Sequence, residues 1–408
     1  MSAGAHADVV ITGVGTIGCF GVGLPALGAA LAAGTPTTRE LADPKGYRRA
    51  GTVTASAACS HLDLSDWVSP NKARRMSDPS RFAVAAARMA LSHAGLAVDA
   101  DQVRSVAIAT TYGAGVFTER LVSEILDAGP RAASPFLFTD CVANAPAGQI
   151  AIDARALGPN ATVVQREAGG VLALIEGSND VALGRTDVAL AGHVDEIGAL
   201  VHAVLARMRA LCPADADGQL RPRPFDARRR GFVAGEGATV CALERADAAR
   251  ARGATPLARV RTWIRAFDPT APRAGWGTGA VALGDRLRRE LARAGLAPAD
   301  IHAVVSSASG SVHGDRLEAE ILHHVWGDAI PPVFAPKAVT GEYGGGNLGG
   351  AFAILGGAFC ARPAGTDSPA LGIRLHEGRL PAPAQRILLA GLASGGAAAW
   401  IVLERNVP

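Results

Sequence analysis

A chain of 408 residues has room, at roughly 150 residues per domain, for two or three domains or one large duplicated one. With 49% apolar residues, 19% charged ones and 49 glycines, it is too apolar for a disordered chain and too long for a peptide hormone or a knottin. A net charge of +3, with the basic residues in short groups, argues against a nucleic-acid partner.

The longest stretch without a charged or strongly polar side chain, 348–361, falls short of a membrane span, so no membrane is expected. The apolar surplus is expected instead in a large core or a subunit interface. Six cysteines (Cys19, Cys59, Cys141, Cys212, Cys241 and Cys360) lie in apolar settings without CxxC spacing, which suggests neither a zinc site nor a disulfide framework. They read as small buried hydrophobes in a reducing cytoplasm. The N-terminal MSAGAHADVV has no basic segment followed by an apolar one, so a cytoplasmic chain is expected, with no cofactor and no metal.

Short β-branched or apolar runs bounded by glycine alternate with Ala/Leu segments of helical period, the pattern of a layered α/β protein. In chain order the expected strands are 9–12, 105–110, 162–165, 187–191, 239–244, 258–265, 303–306, 333–335, 386–390 and 399–404. Helices are expected over 79–94, with Ser80 as N-cap and Gly95 past the end, and over 168–183, 197–210, 278–294 and 348–360. The last is apolar on every side and should lie between layers. The segment ADAARARGATP (246–256) combines charge, Gly and Pro and is the best internal boundary, dividing the chain into halves 1–250 and 251–408. After the first strand, Gly13-Val14-Gly15-Thr16-Ile17-Gly18 fits GxGxxG, but 35–45 reads as loop where a dinucleotide site needs a second strand ending in an acid.

Several stretches together carry a resemblance. VVITGVGTIG (9–18), SPFLFTDCVANAPAGQ (134–149), DVALAGHVDE (187–196), RPFDARRRGFVAGEG (223–237) and PKAVTGEYGGG (336–346) are similar, in order and spacing, to the β-ketoacyl-carrier-protein synthases, or ketosynthases. The resemblance covers nearly the whole chain. It implies the thiolase-like α/β fold, two similar halves stacked as five layers, αβαβα, and a dimer.

Members of that family that condense acyl chains use a Cys at a helix N-terminus and two His that stabilise an enolate oxygen. Within GPNATVVQREAGG (158–170) the Cys position holds Glu167. Counting eight back from the acid of Gly314-Asp315, the first His position holds Ser307, with His313 six residues out of register. After Lys337…Thr340-Gly341 the second holds Glu342, so of this set only Lys337 survives. A carboxylate cannot replace a thiolate as acyl acceptor without forming a labile anhydride. The chain therefore resembles the chain length factor, or ketosynthase-β subunit, of type II polyketide synthases, with Glu167 where that subunit usually has Gln before Ala-Gly-Gly. The stretches VANAPAGQ and QREAGG lean towards the reducing, polyene-type systems.

The resemblance implies a heterodimer with a catalytic ketosynthase, service by an acyl carrier protein, and an acyl tunnel at the interface. Val116, Phe117 and Leu121 are the candidate tunnel residues, with His193 either narrowing the same cavity or filling a core gap. Asp140, Cys141 and Asn144 are candidate dimer contacts. Lys337 is expected to pair with Glu167, with Glu318 competing for it. The groups Lys72-Ala73-Arg74-Arg75 and Arg228-Arg229-Arg230 are either solvated faces or a landing site for an acidic carrier protein. Two rivals stay open: a malonyl decarboxylase-like or acyl-handling homodimer using Glu167, and a non-catalytic homodimeric scaffold.

Overall fold

Glycines at 13 and 15 let the first strand run on where the sequence suggests a turn. Strand β1 is Val9–Gly18, buried throughout, and it includes the whole GVGTIG stretch. A Cβ at Gly13 would stand 2.0 Å from the Ala90 carbonyl oxygen and one at Gly15 2.0 Å from that of Ala86. These glycines admit the backbone of a helix lying across the strand, not a pyrophosphate, which disposes of the dinucleotide fingerprint. That helix is the one expected over 79–94.

The computed structural model describes residues 8–98, 102–382 and 384–405, so most of the N-terminal decapeptide read above lies outside it. The remaining main strands are β2 (Arg104–Ala109), β3 (Asn160–Val163), β4 (Val188–Asp195), β5 (Gly237–Arg245), β6 (Ala258–Phe267), β7 (Ala303–Val305), β8 (Val333–Phe334), β9 (Arg386–Leu392) and β10 (Ala397–Arg405). With β1 they form one sheet in the order β8-β7-β9-β10-β6-β1-β5-β4-β2-β3. Adding five to each strand number converts the order β3-β2-β4-β5-β1 into β8-β7-β9-β10-β6. The directions repeat too: the first two pairs in each set are parallel and the next two antiparallel. Val9–Ile11 of β1 and Ala258–Val260 of β6 join the two sets antiparallel. The segment 246–256 begins as a short helix, Ala246–Ala251, between β5 and β6.

The helices used below are α1 (Gly23–Ala33), α2 (Asp78–Ala94), α3 (Gly115–Ala128), α4 (Pro135–Asp140), α5 (Ala145–Asp153), α6 (Gly169–Ala182), α7 (Ala199–Arg207), α8 (Ala280–Arg293), α9 (Gly314–Trp326) and α10 (Gly344–Leu355). Alternate residues of each strand feed different cores, as the period of two demands. Val106, Ile108 and Leu190 meet Phe82 and Leu91 of α2 and Ile150 of α5. Ala107, Ala191, Val305 and Leu389 face the middle, against Leu174 of α6, Leu27 of α1 and Leu348 and Phe352 of α10. Val304, Leu388 and Trp400 meet Leu287 of α8 and Ile321 of α9. The result is the thiolase-like fold: α2/α5, the first strand set, α6/α10, the second strand set, α8/α9. Every residue of α10 is buried, as its uniform apolarity predicts.

Helix α2 starts one residue before the expected 79, and its N-cap is Ser77, not Ser80. The Ser77 side chain accepts from the Ser80 N–H, while Gly95 closes the helix in the left-handed region at φ 67°.

Candidate functional site

The chain reaches the site through Arg166, one of few non-glycine residues with positive φ, at 47°. A 3-10 turn, Arg166–Ala168, then leads into α6 and places Glu167 at its head. The three degenerate positions come together here. Glu167, Ser307 and Glu342 line one cavity with Trp276, Asp315, Glu318 and Leu392, and its volume of about 10 Å³ is room for one water. Among the described residues that line it there is neither a thiol nor an imidazole, and His313 is exposed.

Lys337 does not bind Glu167. Its ammonium, fully buried, meets the Glu342 carboxylate at 2.6 Å. Nor does Glu318 compete for it, because its two oxygens accept from the Ser306 hydroxyl at 2.9 Å and the Ser307 N–H at 3.0 Å. Glu167 is held instead by Ser394, in the turn between β9 and β10. The Ser394 N–H donates to Oε2 at 3.1 Å and the hydroxyl lies 3.1 Å from Oε1, while Arg166 donates to the Ser394 carbonyl and hydroxyl oxygens at 3.1 Å. Burial first and the like charge of Glu342 second hold the Glu167 carboxyl above the usual range, against the pull of Lys337 and the Ser394 amide. Burial pushes Glu318 up to about 7. Burial also raises Asp315 to about 7, against three amides that donate to it, from Phe225, Ser309 and Gly310.

Sequence reasoning missed Ser394. A serine before Gly395-Gly396 carries only a turn signal, and nothing local points to a partner more than two hundred residues away. It missed Tyr112 as well, whose phenol burial raises well above its usual value and which feels the charges of Asp195, Glu167 and Glu342.

His193 fills a core gap. Its Nε2 lies 2.7 Å from Asp195 Oδ2, and its Nδ1 faces the heads of α6 and α10, where a Cβ at Gly169 or Gly344 would come within 3.2 or 2.5 Å. Of the expected tunnel residues, Val116 is exposed in the first turn of α3, Phe117 is half-buried with the Arg120 guanidinium 5.9 Å from its ring centre, and Leu121 is buried. Asp140 is a correction among the dimer contacts. Its side chain is fully buried in its own chain, accepting from the Ser77 N–H and from the Ser80 hydroxyl at 3.0 Å, so it caps α2. Cys141 is half-buried and Asn144 exposed. All six cysteines are free thiols. Lys72 is engaged by Asp153 at 2.9 Å, Arg228 by Asp226 at 3.1 Å, and Arg229 by backbone carbonyls. Among the described residues no helix is long and apolar enough to cross a membrane.

A thiolase-like fold with a pocket at the head of its central helix defines a ketosynthase-type protein. Residues 6–249 match the family described as beta-ketoacyl synthase, N-terminal domain, and the chain belongs to the β-ketoacyl synthase family. It is 32% identical over 392 residues to the tetracenomycin polyketide synthase ketoacyl synthase beta subunit of Streptomyces glaucescens, covering 92% of this chain and 93% of the relative. It is also 32% identical over 339 residues to 3-oxoacyl-[acyl-carrier-protein] synthase 2 of Rhizobium meliloti (strain 1021), covering 79% and 78%. Among solved structures, the ishigamide ketosynthase/chain length factor superposes with a TM-score of 0.88 at 26% identity, covering 99% of this chain and 100% of that one.

Proposed function

We propose that this chain is a catalytically silent chain length factor. It pairs with an active ketosynthase that supplies the Cys and both His, and it shapes the tunnel in which a carrier-bound polyketide grows. The observation that carries this reading is the Glu342 carboxylate, ion-paired with buried Lys337, in a cavity it shares with Glu167 and Ser307 and whose lining, among the described residues, holds no thiol or imidazole. Condensation needs an acyl-accepting thiolate and donors for an enolate oxygen. Here the acceptor position is a carboxylate tied to Ser394, and the other two are a serine turned to the Leu392 backbone and a glutamate neutralised by lysine.

The chain's contribution then lies at its surface. Val116, Phe117 and Leu121 set the tunnel's length, and Cys141 and Asn144 stand in the interface. The apolar side chains left exposed along the same segment, Phe136, Phe138 and Val142, favour a partner surface there. Residues 1–250 and 251–408 are its two halves, and the protein works in the cytoplasm with an acyl carrier protein. The test is co-expression with the neighbouring ketosynthase, followed by mass-resolved size exclusion and a malonyl-carrier condensation assay of each chain and of the pair. A 1:1 complex, active only through the partner's thiol, is expected. Turnover by this chain alone, lost in Glu167→Ala, would overturn the reading in favour of an enzyme that uses Glu167.

A further inference from the structure

The end of β4 forms a mould for the segment that enters α3. Asp195 Oδ1 accepts from the Thr110 hydroxyl at 2.9 Å, the Thr111 N–H at 2.7 Å and the Tyr112 N–H at 3.1 Å. The next residue, Glu196, accepts the Val116 N–H on Oε1 at 2.8 Å and is 4% exposed. Helix α3 needs this, because its own N-cap residue, Ala114, offers no side chain to the free amides of the first turn. Two residues on, Gly198 stands against Val116 so closely that a Cβ there would lie 2.9 Å from Val116 Cγ2. Gly198 has φ −81° and ψ 163°, which any residue adopts, so no backbone requirement explains the glycine. What it supplies is clearance.

We propose that Glu196 and Gly198 are positioning residues for product length: Glu196 fixes the head of α3, and with it Val116 and Phe117, while Gly198 sets how far Val116 stands back from the neighbouring helix. The inference rests on the reading of α3 as a tunnel wall. It adds that wall position is set from the short segment joining β4 to α7, by residues other than those of the wall itself. Burial pushes the Glu196 carboxyl up to about 8, so near neutral pH it is chiefly the uncharged acid, which glutamine imitates in shape.

The experiment compares the wild-type pair with pairs carrying Glu196→Ala, Glu196→Gln, Gly198→Ala or Gly198→Ala/Val116→Ala. It reads the product-length distribution and, by mass spectrometry, amide hydrogen exchange at 114–118. Gly198→Ala is expected to push Val116 forward and shorten the products, and adding Val116→Ala to restore them. Glu196→Ala is expected to speed exchange at Val116 by about tenfold, as loss of a helix cap does, and to broaden the distribution, with Glu196→Gln returning both towards wild type. Unchanged exchange in Glu196→Ala, or an unchanged distribution in Gly198→Ala within an intact pair, overturns the proposal. If the wild-type chains form no complex or make no polyketide, the chain length factor reading itself fails. Exchange at Val116 then still decides the clamp: an unchanged rate overturns it and a faster one upholds it.

Discussion

Glu318 and Asp315 hold their protons further up the pH scale than exposed carboxyls do, and the sign of the consequence is fixed by linkage. Burial raises Glu318 from 4.5 to about 7 and Asp315 from 3.8 to about 7, so between those limits the folded chain binds more protons than the unfolded one. Stability from these groups is present below the unfolded values and is lost as pH rises through about 7. Glu318→Gln, which cannot ionise, is expected to flatten the decline of the urea midpoint between pH 5 and 8, leaving the slope below pH 4 unaltered. A slope identical to wild type across pH 5 to 8 would show that Glu318 titrates normally. Phe117 makes a different kind of prediction, because its half-buried ring closes space and carries no charge. Phe117→Ala removes on the order of 100 Å³ of side chain, and on the proposed reading of α3 as a tunnel wall a growing acyl chain no longer has to overpack that volume at about 1–3 kcal/mol. Products from the pair are expected to lengthen with turnover retained, as read by mass spectrometry. An unchanged distribution would remove Phe117 from the tunnel.

At the scale of elements, glycine does two opposite jobs, and substitution separates them. Gly170, in the first turn of α6, has a Cβ position 2.4 Å from the Gly344 carbonyl oxygen, a backbone atom that cannot step aside. Gly28, in α1, has only an ordinary contact, 3.7 Å from the Ala358 Cβ. Gly170→Ala is therefore expected to lower stability by about 1–3 kcal/mol, while Gly28→Ala raises it by about 0.5–1 kcal/mol through helix propensity, both read from denaturant midpoints. The same contrast explains what the sequence made legible. Helix α2 was readable because its apolar period and Gly95 are local signals, and α10 because Leu348–Leu355 carries no polar side chain. The start of α10 was not readable: Gly344-Gly345-Gly346 looks like a loop, yet it is helical, and glycine is required at 344 because His193 occupies the space beside it. Strand β1 was underestimated for the same reason, since Gly13 and Gly15 answer to a helix some seventy residues away. At the site, motif spacing found Glu167, Ser307 and Glu342. The bonds of Glu167 to Ser394, of Lys337 to Glu342 and of Asp140 to the head of α2 depend on tertiary placement that no local pattern encodes.

Across the whole molecule, the cores account for only part of the apolar surplus. Phe136 and Phe138, on the short helix α4, are 66% and 65% exposed, and Val142, Leu126 and Ile152 stand out from neighbouring elements. Aromatic side chains bury large areas and dominate interface energetics, so two exposed phenylalanines on one turn are costly to leave in water and valuable against a partner. Their neighbours tie this surface to α3: the Thr118 hydroxyl lies 2.8 Å from the Ala114 carbonyl oxygen and 2.9 Å from that of Cys141, linking α3 to the segment that presents the phenylalanines. Replacing either phenylalanine by aspartate should leave the free chain's fold intact, because neither ring belongs to a core. It should weaken the pair by at least about 2 kcal/mol, which is roughly thirtyfold in Kd. Circular dichroism of the free variant and sedimentation of the variant with its ketosynthase separate the two effects. Undiminished association in both variants would place the partner on another face, and Val116 and Phe117 could then no longer line a tunnel shared between subunits.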